Sequence, residues 1–116
     1  MDEHKLQPAA PADRRTLIRR VTFALTGLPP APTEITAFLV DTSPDAYSKL
    51  VNRLLESTAF GERWARHWMD LVRFAESHGS EGDPEIREAW RYRDYLIRAL
   101  NADVPADQLI REHVAG

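Results

Sequence analysis

Apolar residues recur along this chain at intervals of three and four and never in sustained alternation, so the pattern predicts helices and no strand. From Arg14, the residues Leu17, Ile18, Val21, Ala24 and Leu25 fall on one face of a first helix. Asp13 is placed to cap its start, and Gly27 followed by Pro29-Pro30 to end it. Phe23 lies off that face and requires a second neighbour. A short helix follows Pro32 and turns Ile35, Phe38 and Leu39 inward. Ser43-Pro44-Asp45 then offers an N-cap, a first-turn proline and an acid matched to the helix dipole, opening a third helix that buries Tyr47, Leu50, Val51, Leu54 and Leu55. The fourth helix, about Phe60 to Glu76, carries Phe60, Trp64, Trp68, Leu71 and Ala75 at spacings of four, four, three and four, which reads as a core seam. Glu62, Arg66, Asp70 and Arg73 mark its solvated side. A polar loop from Ser77 to Glu88 leads to a fifth helix, Trp90 to Asn101. Val104-Pro105 with Asp107 opens a sixth, which Gly116 ends. No hairpin dipeptide, internal repeat or low-complexity tract interrupts the series. The expected fold is all-α, a compact bundle of five to six short helices with no sheet. Residues 1–12 read as an N-terminal arm or linker and residues 13–116 as a single helical domain.

Composition narrows the classes of partner. With 43% hydrophobic and 28% charged residues and a formal net charge of −3, the chain is an ordinary globular sequence and not a disordered one. Its arginines are interspersed among carboxylates, which leaves no basic footprint for nucleic acid. The absence of cysteine excludes disulfides, thiolate metal ligands, a thiol nucleophile and covalent c-type haem attachment within this segment. No apolar run approaches the roughly 20 residues of a membrane span, and the charged start Met1 to Lys5 has no signal-peptide core behind it.

Candidate chemistry gathers between residues 60 and 95, which hold all three tryptophans and two of the four histidines. His67 and Asp70, three apart on the fourth helix, stand at a spacing where imidazole and carboxylate can converge on a metal or share a proton. Two ligands are too few for a metal site, and a half-buried histidine beside tryptophans is commonly structural. Glu76, His78, Glu81, Asp83 and Glu85, interrupted by Gly79 and Gly82, put oxygen ligands and an imidazole on one loop. Their spacing matches neither an EF-hand nor an HExxH helix, so no metal or other cofactor is assigned to this segment. Trp64, Trp68 and Trp90 offer indole faces for a sugar ring or a haem edge, although helical spacing favours the core. Arg93 falls inside the apolar arc of the fifth helix. A guanidinium there requires a partner, and Asp70 and Glu76 are the leading carboxylates. The stretch from Gly27 to Pro30 reads as a rigid corner, and Ser57, Thr58 and Ser77 lack any serine-hydrolase context. His113, in the last turn, reads as a helix-terminal cation or core-edge residue, and His4 lies in the arm.

Three long stretches, DRRTLIRRVTFALTGLPPAPTEITAFL, GERWARHWMDLVRFAESHG and AWRYRDYLIRALNADVPADQLIREHVAG, resemble the planctomycete cytochrome-associated domain, the second of the domains named for that association. The likeness runs from about Leu6 to Gly116. Ala24 stands where members with TFDLTGLPP have an aspartate, Arg87-Glu88 replaces a proline-polar pair, and Ala106 replaces an aromatic. The resemblance implies a fragment, truncated at both ends, of a larger exported protein with no established activity. A c-type haem would belong to an upstream domain, and the partners would be neighbouring domains of the same polypeptide. Two functional readings follow. In the first the chain is a helical scaffold or interaction module, located outside the cytoplasm by that resemblance. In the second it contributes part of a catalytic or carbohydrate-binding site completed by a downstream domain, with the Ser77 to Glu88 loop at the cleft and His67, Asp70, Glu76, His78, Glu81, Asp83 and Arg93 as the candidate residues. No complete catalytic constellation is present, so the sequence does not decide whether the protein is an enzyme. A site requires His78, Glu81 or Asp83 to converge with His67 or Arg93, whereas a scaffold leaves them apart.

Overall fold

The computed structural model describes residues 10–116, which fold as six α-helices. They are α1 (Arg14–Thr26), α2 (Pro32–Val40), α3 (Ala46–Leu55), α4 (Thr58–Leu71), α5 (Ala89–Asn101) and α6 (Ala106–Ala115). Among the described residues no strand forms, and one isolated antiparallel bridge, Ser77 to Glu85, closes the long loop. The fold is the all-α bundle that the periodicity predicts. Most of the expected arm, residues 1–9, lies outside the described residues.

The apolar faces bury into two adjoining clusters. Helices α1 to α3 close around Ile18, Phe38, Ala46, Leu50 and Leu54, with Leu17, Val21, Leu25 and Ile35 packed against them. Helices α4 to α6 close around Ala65, Leu96, Ala99 and Leu109, with Trp68, Met69, Tyr92 and Tyr95 among the flanking side chains. Packing of α1 on α4 joins the two. The molecule is drawn out as a result: its radius of gyration is 19.1 Å, against roughly 13 Å for a compact chain of about 100 residues.

Local chemistry explains the first three helices. Asp13 caps α1 by accepting from the Thr16 amide at 2.9 Å, and this backbone bond, with a second one from the Thr16 hydroxyl, holds its carboxyl below the ordinary value. Gly27, with φ 70°, ends α1 and donates its amide to the Phe23 carbonyl at 3.0 Å. A Cβ there would lie 3.0 Å from Cδ of Arg63, so the glycine is needed both for its backbone angle and as the seat of the α4 arginine. Arg14 ties the start of α1 to the end of α2. Its guanidinium donates to the carbonyls of Phe38 and Asp41 and stacks 4.2 Å over the Phe38 ring. Glu34 accepts from the Ala31 amide at 2.8 Å at the head of α2 and also pairs with Arg53 of α3 at 3.2 Å.

Several expected positions shift. Helix α3 begins at Ala46, because Ser43, Pro44 and Asp45 are used in a turn: the Ser43 hydroxyl donates to Asp41, and its carbonyl accepts from the Ala46 amide at 3.1 Å. Leu50 and Leu54 are buried as expected and Val51 is half-buried, but Tyr47 and Leu55 are exposed, since α3 meets its neighbours along the narrower line Ala46, Leu50, Leu54. On α1, Thr22 and Thr26 are buried where Ala24 is not. Each threonine hydroxyl donates 2.8 Å back to the carbonyl four residues earlier, which satisfies it inside the core.

The largest correction concerns α4. Of the expected seam, Trp68 is half-buried against the second cluster and Phe60 half-buried, but Trp64 is 40% exposed and Leu71 is 78% exposed. The inward line is Gly61, Ala65, Trp68 and Met69. Small residues win that face because α5 approaches closely there: the Asn101 side chain accepts from the Gly61 amide at 2.9 Å and donates to the Thr58 carbonyl at 3.2 Å. The last residue of α5 thus caps the first turn of α4. The expected seam also ran too far, because α4 stops at Leu71 and leaves Ala75 and Glu76 outside it. Arg73 takes a left-handed conformation, φ 54°, while its amide bonds to Asp70 and the Phe74 amide to Met69, which is a Schellman stop built without glycine. Asp103, φ 51°, ends α5 in the same way.

Candidate functional site

The loop between α4 and α5 is folded by its own backbone. Ile86 donates to the Glu76 carbonyl at 2.8 Å and His78 to the Pro84 carbonyl at 3.2 Å, while Gly79 and Gly82 take positive φ at the turn. The Asp83 carboxylate is spent inside this turn, accepting from the Gly79 amide at 2.8 Å. His78 and Glu81 are exposed. His67 is exposed with its ring edge-on to Trp64 at 5.2 Å, and no hydrogen bond joins it to Asp70. Among the described residues, no group of three or more His, Cys, Asp or Glu is placed to hold a metal ion.

One predicted pair does form. Arg93 bonds to Glu76, as its wheel position required, with Asp94 at 3.9 Å as a second carboxylate. The burial expected for it does not follow. The guanidinium side chain is 41% exposed, because α4 ends a turn early and the Glu76 loop leaves that end of α5 uncovered. The two residues border an open depression of about 190 Å³ with Glu85, Ile86, Arg87 and Trp90. Asp70, His67, His78, Glu81 and Asp83 are not part of it.

The most connected side-chain network lies elsewhere, where α6 meets α4 and α5. His113 Nδ1 is 2.6 Å from the Leu109 carbonyl, which can only accept, so Nδ1 carries the proton. The Trp68 indole N–H, which can only donate, points at Nε2 at 3.1 Å, and the Tyr92 hydroxyl lies 2.7 Å from the same nitrogen, whose single lone pair the two donors share. His113 is therefore the neutral Nδ1–H tautomer, pinned from three helices. Beside it the Tyr95 hydroxyl donates to Glu112, whose other oxygen accepts from Gln108 at 2.8 Å. The hydrogen bond to Glu112, with burial second, pushes the Tyr95 phenol up to about 12. The Tyr95 and Gln108 bonds, in that order, hold the Glu112 carboxyl below its ordinary value. Tyr92 and Tyr95 stack at 6.2 Å, with the His113 ring at 77° to the first and 49° to the second.

Sequence reasoning read His113 as a helix-terminal cation or a core-edge residue; its bonds favour the second, and the network itself was not found. A signal was available: Tyr92 and Tyr95 are three apart on α5, and Leu109 and His113 four apart on α6, so each pair shares a face. What the sequence lacks is any local cue that the two faces meet.

Six helices and a self-bonded polar network define a small all-helical domain. The chain belongs to the PSCyt2 family, described as a protein of unknown function (DUF1549), whose family model matches residues 1–116. No curated protein and no solved structure matches it. Among the described residues, no helix is long and apolar enough to cross a membrane.

Proposed function

We propose that this chain is a helical interaction module that packs against neighbouring domains of a larger, exported, cytochrome-associated polypeptide. The observation that carries the reading is a set of large apolar side chains left uncovered: Leu71, Trp90, Ile110 and Val114 all stand exposed. The scattered polar groups of the Ser77 to Glu88 loop agree with a scaffold, since Asp83 is consumed by the turn and His78 and Glu81 face solvent. The cytochrome association and the location outside the cytoplasm rest on the family resemblance.

Hydroxyl-radical footprinting of the natural polypeptide beside the 116-residue chain tests the reading. Leu71, Trp90, Ile110 and Val114 should be protected in the longer protein and modified in the shorter one. Equal modification in both removes the interaction module. A second reading, part of a catalytic or carbohydrate-binding site completed by another domain, has one observation in its favour: the Trp90 indole borders the depression that holds Arg87 and Arg93.

A further inference from the structure

We propose that the groove between α5 and α6 is a binding site for an organic cation of the methylated-ammonium class. It is an open hollow of about 480 Å³ lined by Tyr92, Tyr95, Glu112, His113 and Gly116. The rings form a corner, with the tyrosines stacked on one side and the imidazole steeply inclined to them. They are held before any ligand arrives, because each phenol is fixed by a hydrogen bond, Tyr92 to His113 and Tyr95 to Glu112. Such an aromatic corner, with Tyr92 backed by Phe74 at 5.6 Å, offers ring surface to a cation at no further ordering cost.

The charge pattern selects the occupant. None of the lining residues is Lys or Arg, and His113 is neutral in the tautomer its partners impose. Glu112 is bonded only to the neutral donors Tyr95 and Gln108, and among the described residues no ion pair includes it. It therefore stands without an ion-pair partner at the rim of an apolar hollow. An anion is repelled there. A sugar needs donors for its hydroxyl oxygens, yet the donor protons here are already given, that of Tyr92 to His113, that of Tyr95 to Glu112 and the Nδ1–H of His113 to the Leu109 carbonyl. A methylated ammonium needs no donor: it presents an apolar, positively charged surface to rings and carboxylate together. The inference stands independently of the interaction-module reading.

The test is an NMR titration of the tyrosine ring resonances of this chain with choline, with the uncharged tert-butyl analogue in which carbon replaces nitrogen, and with a blocked trimethyl-lysine. Choline or trimethyl-lysine should bind saturably, and the uncharged analogue roughly tenfold more weakly. Whichever cation binds tighter identifies the source as a free small molecule or a modified protein side chain. Tyr95→Leu should abolish binding. Glu112→Gln, which retains an acceptor for the Tyr95 hydroxyl and so preserves the fold, should weaken it by a similar roughly tenfold factor. Equal affinity for the uncharged analogue, unchanged affinity in Glu112→Gln, or no saturable response to either cation would each overturn the proposal.

Discussion

The two clusters of this molecule are built by different means. Around α1 to α3 the core is aliphatic, with Ile18, Leu50 and Leu54 beside Phe38, and the helix ends carry recognisable devices: the Asp13 cap, the Gly27 stop and the Glu34 bond at the head of α2. Around α4 to α6 half of the buried set is small, Ala65 and Ala99 beside Leu96 and Leu109, and much of the joining falls to polar groups. Asn101 caps α4 from the end of α5, and His113 gathers Trp68 and Tyr92. A greasy cluster tolerates small shifts, because apolar contact has no direction. A hydrogen-bonded one does not. The second half should therefore be the more specific and the more easily broken by polar substitutions, while the first responds mainly to lost volume.

The largest effect should come from Leu96→Ala. Leu96 has no exposed surface, and Leu50 in the other cluster is 4% exposed. Each truncation should cost about 2–5 kcal/mol by lost transfer energy and an unfilled cavity. If the α1–α4 packing makes the clusters one cooperative unit, either variant gives a single unfolding transition at lower denaturant, the same by tryptophan fluorescence and by circular dichroism. All three tryptophans lie in the second half, at positions 64, 68 and 90. In Leu50→Ala, a fluorescence transition lagging the dichroism would show that the clusters unfold separately.

This contrast also accounts for what could be read in advance. The ends of α1 and the start of α2 were legible because caps, prolines and glycine act within a few residues of themselves, so Asp13, Gly27 and Pro32 announce their helices, whereas Tyr47 and Leu55 of α3 were wrongly placed inside. The α4 face was misread because a large aromatic residue is weighted as core by hydrophobicity alone, whereas the close approach of Asn101 selects Gly61 and Ala65. Nothing near Gly61 encodes a residue forty positions away. The end of α4 was missed for a related reason: its left-handed stop falls on Arg73, where glycine is the usual signal. Of the candidate residues, the Arg93–Glu76 pair was legible from the helical wheel, and the His113 network was not, because it depends on how three helices dock.

Gly61→Ala comes next in size and attacks the second half through its geometry. A Cβ at this position would lie 2.5 Å from the Asn101 side chain, so the carboxamide must leave and the Gly61 amide loses its acceptor. A loss of about 1–3 kcal/mol is expected, from overpacking and an unsatisfied donor. In the background of Asn101→Gly, which empties that space, the same substitution should cost much less. Additive losses in the double variant would mean that the two residues do not act on one another.

The Tyr95–Glu112 bond gives the second half a pH dependence of its own, beside the lowered carboxyls of Asp13, Asp41 and Asp45 in the first. The folded Tyr95 phenol is raised to about 12 from 10.0, so its contribution to stability is complete below pH 10 and lost as pH rises towards 12. Glu112 is lowered, so its contribution is complete above its ordinary value of 4.5 and lost as pH falls through the depressed one. Glu112→Gln should remove one part of the acid slope, leaving that of Asp13, Asp41 and Asp45, and bring the Tyr95 titration, followed by its ultraviolet absorbance, back towards 10. An unchanged profile on both sides would show that the bond has no part in holding α6.

The smallest effect should come from the one predicted pair that the fold realises. Arg93 and Glu76 are 41% and 56% exposed, so solvent screens their attraction and holding both long side chains costs entropy. A double-mutant cycle through Arg93→Ala and Glu76→Ala should give a coupling below about 1 kcal/mol, shrinking further in high salt. This separates the structure from the sequence-based expectation, under which a buried guanidinium stripped of its carboxylate would cost about 3–5 kcal/mol. A coupling of that size, insensitive to salt, would mean that the end of α5 is covered in solution. The open edge beside Trp90 would then have to be closed by the Glu76 loop itself, and the surface offered there to another domain would disappear.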